Sequence, residues 1–328
     1  MAVREKIPLL SVENLKTYLF LRRGVVKAVD GVSFQVQERE TLGIVGESGS
    51  GKSMTCLSIL RLIPEPAGRI VEGKIILDGT DILQVDEQEM ASQVRGRKIS
   101  MISQDPLTSL NPVFSIGDQV GGPFRYHGLK KDRKGIREAV VDVLRRVRIP
   151  SPAQRLKDYP YQFSGGMRQR VVAAMAIACG PRLLIADEPT SALDVTIQIQ
   201  MLQLLEEIQQ ETNVGLILIT HDLGVAAYIC QRIAVMYAGR IVEFGDVRTI
   251  YKKPSHPYTQ ALLNSVPRLG EKKKRLFNIE GQPPDLLNPP IGCAFWPRCD
   301  RRRDICQQEY PPTIPIDREG YASCWLLT

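Results

Sequence analysis

No run of apolar residues in this 328-residue chain approaches the ~18 that suggest a membrane span; VVAAMAIAC, nine residues, is among the longest. The opening MAVREKIPLLSVEN is too polar after its first residues for a secretory signal. Both absences predict a soluble chain whose seven cysteines are thiols or metal ligands, not a disulfide framework. No two cysteines form a C-x-x-C pair, which argues against knuckle-type zinc inserts. Histidine is scarce, with three residues, and aromatics make up only 6%. No aromatic stacking box accompanies the basic residues, which weighs against single-stranded nucleic acid as a partner. What remains is ordinary: 43% hydrophobic content and a length suited to one large domain or two modest ones.

Against that background GESGSGKS, Gly46 to Ser53, stands out. It follows the apolar TLGIVG and precedes a helix-compatible run, so G-x-x-x-x-G-K-S has its strand–loop–helix setting. Gly46, Glu47, Ser48, Gly49, Ser50 and Gly51 form a loop whose backbone N–H groups can converge on phosphates. Lys52, Ser53 and Met54 open the helix; Lys52 can reach the β- and γ-phosphates of ATP, and the Ser53 hydroxyl can hold Mg²⁺.

RLLIADEP, Arg182 to Pro189, reads as a buried parallel strand delivering two carboxylates at its C-terminal edge, where α/β sheets bind ligands. Asp187 would serve Mg²⁺ through water, and Glu188 would polarise the attacking water as general base. By itself such a pair is equally an acidic turn after a core strand; beside a phosphate loop that reading recedes. FSGGMRQR, Phe163 to Arg170, sets Ser-Gly-Gly ahead of another helix, a second N-terminus able to receive an anion. One chain does not need both loops for one triphosphate, so this one is expected to serve the γ-phosphate bound by a different subunit.

Gln104 in SMISQDP, His221 in LILITHD and SALD, Ser191 to Asp194, complete a set that resembles the ATP-binding-cassette ATPases over about residues 10 to 255. The resemblance implies an α/β fold: a P-loop, RecA-like parallel-sheet core with an antiparallel β subdomain and a helical subdomain. It further implies that Gln104 contacts Mg²⁺ and the water while coupling to a membrane partner. Ser164, Gly165 and Gly166 would close the opposite site, Asp194 would lie at the dimer seam, and His221 would be the switch near the γ-phosphate. Met167 stands where many members carry Gln; a thioether cannot replace the amide's hydrogen bonds, but the backbone and Ser164 can still meet phosphate.

SVENLKTYLF and VVKAVDGVSFQVQ, with Gly24 between them, read as an antiparallel pair. The family stacks an aromatic from this segment on adenine; Tyr18 and Phe20 both qualify, and Tyr18 is favoured over its alternative role as a packed strand residue. Val140, Leu144 and Val147 recur at helical spacing between Gln104 and Phe163. Val195, Ile199, Leu202, Leu205 and Ile208 predict a helical stripe belonging to the core. His127 and His256 are expected to be structural, and Cys56, Cys179 and Cys230 to pack as small hydrophobes.

From HPYTQALLNSVP, His256 to Pro267, the sequence leaves the common ATPase. A basic run, EKKKR, precedes the proline-rich GQPPDLLNPP, an expected extended linker. Residues 268 to 303 hold nine Lys or Arg against four acids, five of the chain's seven net positive charges. That stretch is either a solvated tail or a patch for an anionic surface. Cys293, Cys299, Cys306 and Cys324 then cluster in the last thirty-six residues, the count for a four-thiolate site holding zinc or a [4Fe–4S] cluster.

The HPYT segment and the GCAFWPRC…C…C tail together look like the ATPase subunits of bacterial dipeptide and oligopeptide importers, over about residues 256 to 325. Those carry an iron–sulfur cluster in this tail, and the wide, irregular cysteine intervals point the same way, leaving zinc second. The expected domains are an ATPase domain 1–258, with its helical subdomain at about 105–163, and a C-terminal region 259–328. The latter divides into a linker 266–290 and a small Cys-rich domain at 291–325. The resemblance implies ATP, Mg²⁺ and head-to-tail closure with a second ATPase subunit, a related chain before an identical one. It also implies permease subunits, an extracellular peptide-binding protein acting indirectly, a place at the cytoplasmic face of the membrane, and no nucleic acid. The nucleic-acid rivals fit poorly. Repair types insert a long coiled coil between the loops, whereas about 110 residues without sustained heptads intervene here, and translation types carry two cassettes. An iron–sulfur assembly ATPase explains neither the basic tail nor HPYT.

Overall fold

A computed structural model describes residues 7–130, 132–191, 193–266 and 279–328. The basic run EKKKR, Pro267 and Arg268, the start of the expected linker and Ala192 of SALD lie outside the described residues. Two compact units emerge. One gathers Val36–Glu40 and Gln84–Leu218 with the described chain up to Leu9; the other gathers Leu10–Gln35, Thr41–Leu83 and the described residues from Ile219 on. The strands in chain order are β1 Leu10–Leu21, β2 Gly24–Val36, β3 Thr41–Val45, β4 Gly68–Leu77, β5 Thr80–Asp81 and β6 Ile99–Ile102. They continue as β7 Leu183–Asp187, β8 Gly215–Thr220, β9 Arg232–Tyr237, β10 Arg240–Asp246, β11 Thr313–Pro315 and β12 Tyr321–Ser323.

In the unit centred on residues 84–218, β6 and β7 run parallel, pairing Ile99 with Leu183 and Ile102 with Ala186. Every residue of β7 and β8 is buried, the mark of strands covered on both faces, which is why LLIAD and GLILIT are almost uninterruptedly apolar. Helices Ile116–Tyr126 and Arg133–Arg146 lie within residues 105–163, and helix Gly165–Ile177 follows them in the same unit. Val120, Phe124, Val140, Leu144, Val171 and Val172 are buried in it, and Val147 is buried just past the second helix. The stripe on Val195–Thr212 departs from expectation. Leu202, Leu205 and Ile208 are core, but Val195 is 70% and Ile199 45% exposed. Helical period fixes which residues share a face; it does not fix how far along the helix the neighbour extends.

In the other unit, β2-β1-β4-β5 form one sheet, with β1 antiparallel to β4 from Leu10↔Leu77 to Leu19↔Gly68. A second run of strands is ordered β11-β12-β10-β9-β3, with β3 and β9 parallel and β9 and β10 antiparallel. The expected separate Cys-rich domain is not what forms. The tail's β12 adds to β10, pairing Ala322 with Glu243 and Tyr321 with Phe244, whose rings stack at 5.5 Å. The tail is short of apolar residues to bury among themselves, and an open edge strand offers ready hydrogen-bond partners. The proline-rich segment lies on the same unit: Lys27 N–H donates to Leu286 O at 3.3 Å. Among the described residues no helix is long and apolar enough to cross a membrane.

Candidate active site

The phosphate loop rises from β3, whose five residues are all buried. Gly46 and Gly51 take φ values of 155° and 103°, open to glycine, and close approach adds a second requirement. A Cβ on Gly46 would sit 2.2 Å from Met236 O, and one on Gly51 2.3 Å from Ala28 O. Helix Lys52–Ile59 begins at Gly51 with no side-chain cap, and the positive end of its dipole at the loop favours an anion. Lys52, 5% exposed, arches over its own loop, donating from Nζ to Gly46 O at 2.7 Å and Glu47 O at 2.8 Å. Ser53 and Met54 follow on the first turn, half-buried. Glu47, Ser48, Gly49 and Ser50 line a small cavity with Tyr237, Ala238, Pro283, Pro284 and Leu286, so the proline-rich segment walls one side of the loop.

HPYT reaches the same loop. His256 is the N-cap of helix Pro257–Ser265, its Nδ1 accepting from Tyr258 N–H at 3.0 Å, and Pro257 takes the first helical position, where its missing N–H costs nothing. Burial, then Arg301, holds the imidazole down to about 3, so it is neutral and structural as expected. Behind it Glu243, fully buried, accepts from Ser255 N–H at 2.7 Å and His256 N–H at 3.0 Å; burial pushes its carboxyl upward. Tyr258, also fully buried, accepts a 2.9 Å hydrogen bond from Glu47 N–H and packs on Tyr237 and Phe295 at 4.5 and 5.3 Å between ring centres.

The carboxylates belong to the other unit. Asp187 ends β7, 5% exposed, and Glu188 follows at φ 44°, a left-handed conformation that turns the chain sharply after the strand. Gln104 Nε2 donates to Glu188 Oε2 at 3.2 Å, so the two candidate water-handling residues meet although 84 residues apart. Ser164 caps helix Gly165–Ile177, its Oγ accepting from Met167 N–H at 3.3 Å. The position where Gln is common thus contributes its backbone. A Cβ on Gly165 would meet nothing within 4 Å, whereas one on Gly166 would sit 2.7 Å from Ile197 Cγ2. One glycine therefore faces open space, and the other lets two helices approach. Asp194 caps helix Val195–Thr212 through Ile197 N–H at 3.1 Å.

His221, exposed, directly follows β8; Asp222 beside it caps helix Leu223–Ile229 through Gly224 N–H at 2.7 Å. Tyr18 is half-buried on β1 and donates to Asp30 Oδ1 at 2.8 Å; burial first, then Asp30, pushes its hydroxyl up to about 12. Phe20 is 43% exposed, with Arg69 over its ring.

Cys293, Cys299, Cys306 and Cys324 line one cavity with His256, Trp296, Arg301 and Trp325. Burial pushes the Cys293 thiol up to about 12, and the other three cysteines add to the rise. Among the described residues, however, no three His, Cys, Asp or Glu side chains are arranged to hold a metal ion. Sequence reasoning missed Tyr258 and Tyr237 beside the loop, and Glu243, which holds the start of the HPYT segment. The HPYT segment was a visible signal, but nothing local tells that its tyrosine reaches Glu47, 211 residues away.

A glycine-bound loop with its lysine ahead of a helix, and a strand-end Asp-Glu pair met by a glutamine, define a P-loop nucleoside triphosphatase. The family models narrow that: "ABC transporter" matches residues 29–191 and "Oligopeptide/dipeptide transporter, C-terminal region" matches 242–306. A dipeptide transport ATP-binding protein, DppD, of Bacillus subtilis is 49% identical over 317 residues, covering 97% of this chain and 94% of that protein. The oligopeptide transport ATP-binding protein OppD of the same species is 47% identical over 97% of this chain and 89% of its own length. A solved dimer of the ATP-binding cassette MJ0796, in a post-hydrolysis state bound to ADP and Pi, superposes with a TM-score of 0.65 at 26% identity, covering 73% of this chain and 99% of its own. The chain belongs to the ATP-binding-cassette ATPases, in the branch of dipeptide and oligopeptide transport ATP-binding proteins.

Proposed function

We propose that this chain is the ATP-hydrolysing subunit that energises import of dipeptides or oligopeptides through partner permease subunits. The observation that carries the reading is the joint presence of a formed phosphate loop and the transporter-type C-terminal region, with Tyr258 of the second bonded to Glu47 of the first. Lys52 and the loop amides would hold the phosphates, Ser53 and Gln104 would contact Mg²⁺ with Asp187 serving it through water, and Glu188, bonded to Gln104, would take the proton of the attacking water. Mg²⁺, when bound, offsets the charge of the transferred phosphoryl group. Ser164, Gly165 and Gly166 close on nucleotide held by a second ATPase subunit, a related chain before an identical one, with Asp194 at the seam; that the MJ0796 cassette is dimeric supports the presence of a second ATPase. His221 senses the γ-phosphate, and Tyr18 stacks on adenine. The subunit works at the cytoplasmic face, receiving peptide indirectly from an extracellular binding protein, and engages no nucleic acid. We take residues 1–258 as the ATPase domain, 105–163 as its helical part and 259–328 as the C-terminal region.

Glu188→Gln tests the assignment. The amide keeps the shape and cannot accept the water's proton, so ATP binding should persist while hydrolysis falls on the order of hundreds-fold. Cells carrying only that variant should stop taking up labelled peptides. Near-normal turnover would remove Glu188 from its role; intact peptide uptake would remove the chain from import.

We further propose that Cys293, Cys299, Cys306 and Cys324 receive a [4Fe–4S] cluster, with zinc as the alternative. Their common cavity supports the reading, and ligation would draw the four sulfurs together. Metal bonds would supply folding energy that a tail poor in apolar residues lacks.

A further inference from the structure

Glu47, the second residue of the phosphate loop, is met by a guanidinium from 251 residues away. Arg298 grips its carboxylate with both terminal nitrogens, Nη1 at 2.6 Å from Oε2 and Nη2 at 3.0 Å from Oε1. The Arg298 side chain is 4% exposed, and Glu47's is 27% exposed. The rest of the guanidinium is also held: Nη1 donates to Tyr237 Oη at 3.2 Å, Nη2 to Ile279 O at 3.4 Å and Nε to Glu280 O at 3.1 Å. The 3₁₀ turn Trp296–Arg298 presents it, anchored by Phe295, 2% exposed beneath Tyr237 and Tyr258. Glu47 is therefore fixed twice, its backbone N–H by Tyr258 of the HPYT segment and its carboxylate by Arg298 of the C-terminal region.

A carboxylate in a loop built to receive a triphosphate works against that loop, because like charges in a poorly solvated site repel strongly. A bidentate guanidinium cancels the charge and, being a rigid fork, fixes the direction of the side chain that carries it. We propose that Arg298 is a positioning residue of the nucleotide site, which neutralises Glu47 and holds the phosphate loop in its anion-receiving shape. The C-terminal region thereby sets the affinity of the chain for ATP. This rests on the reading of Gly46–Ser53 as the ATP loop.

The test compares the wild-type chain, Arg298→Met, Arg298→Lys and the double variant Arg298→Met/Glu47→Gln for binding of a fluorescent ATP analogue and for steady-state hydrolysis. Arg298→Met should raise Kd and the KM for ATP on the order of tenfold, the scale of one uncancelled charge acting across on the order of 10 Å of protein, while kcat changes less than about twofold. The double variant should bind within about threefold of wild type because it removes the charge that Arg298 cancels. Arg298→Lys keeps the charge but loses the two-point grip, so it should bind about threefold more weakly than wild type and more tightly than methionine, and that loss is the readout if the methionine variant fails to fold. Unchanged affinity in Arg298→Met, a double variant as weak as the single, or a lysine variant as weak as methionine would each overturn the proposal. Lys52→Ala is the control: if wild type binds nucleotide and Lys52→Ala does not, the loop assignment stands whatever Arg298 does. If wild type binds none, the loop assignment itself falls.

Discussion

Acidification should loosen the C-terminal region through His256. The imidazole is 1% exposed and is held down to about 3 by burial and Arg301, against 6.5 for an ordinary histidine. A folded-state value below the unfolded one means that the unfolded chain binds the proton first, so stability is full above 6.5 and falls as pH drops through 6.5 toward 3. Each unit in that window costs up to about 1.4 kcal/mol, so moving from pH 7.5 to 5.0 removes about 2 kcal/mol. Glu243, bonded to the His256 N–H, acts in the opposite sense: burial raises its carboxyl, so the folded state binds that proton more readily as pH falls toward the carboxylate range. The His256 contribution is therefore read as a difference between the wild type and His256→Asn, which keeps an N-cap acceptor and has nothing to titrate. The chain's two tryptophans, Trp296 and Trp325, both line the cavity beside His256, so their fluorescence in urea at pH 7.5 and 5.0 reports this region. Wild type should lose about 2 kcal/mol more than the variant between the two pH values. An equal loss in both would refute the assignment of the proton to His256.

Ser164→Arg should leave ATP binding to the isolated chain within about twofold while blocking dimer formation and hydrolysis, as gel filtration with ATP and a phosphate-release assay would show; loss of binding by the monomer would mean that the Ser164–Gly166 loop serves its own subunit's nucleotide. Anaerobically purified protein should absorb broadly near ~400 nm and hold about four irons per chain, and any one of Cys293, Cys299, Cys306 and Cys324 changed to Ser should bleach it while ATP binding persists; one stoichiometric zinc in a colourless protein would replace the cluster, and absence of any metal would end the four-thiolate reading.

The groups the sequence announced are those whose geometry is local. Gly46 to Ser53 could be read because glycines, lysine and serine at fixed spacing already specify a turn, a close approach and a helix start. Ser-Gly-Gly at Ser164 announced a helix start for the same reason, whereas Asp194 was picked out by its family motif; each caps the helix that follows it. The continuous apolar runs of β7 and β8 announced buried strands. Pattern stopped being sufficient where a residue's partner lies far along the chain. Val195 and Ile199 share a helical face with Leu202 yet stand exposed, because period says nothing of where the covering layer ends. The tail read as a domain of its own, but β12 found the edge of β10.

Sequence alone thus determined the groups available to this protein: a glycine-rich loop ahead of a helix, a carboxylate pair at a strand end, a second helix start behind Ser-Gly-Gly, and four thiols near the end. Only tertiary structure decided which distant groups meet them. Gln104 meets Glu188 across 84 residues, Tyr258 meets Glu47 across 211, and Arg298 closes on the same Glu47 across 251. The physical reason is that a charge or a hydrogen-bond donor in sequence has a type but no partner. The partner is chosen by which surfaces the chain must bury together, and that choice is made over the whole fold.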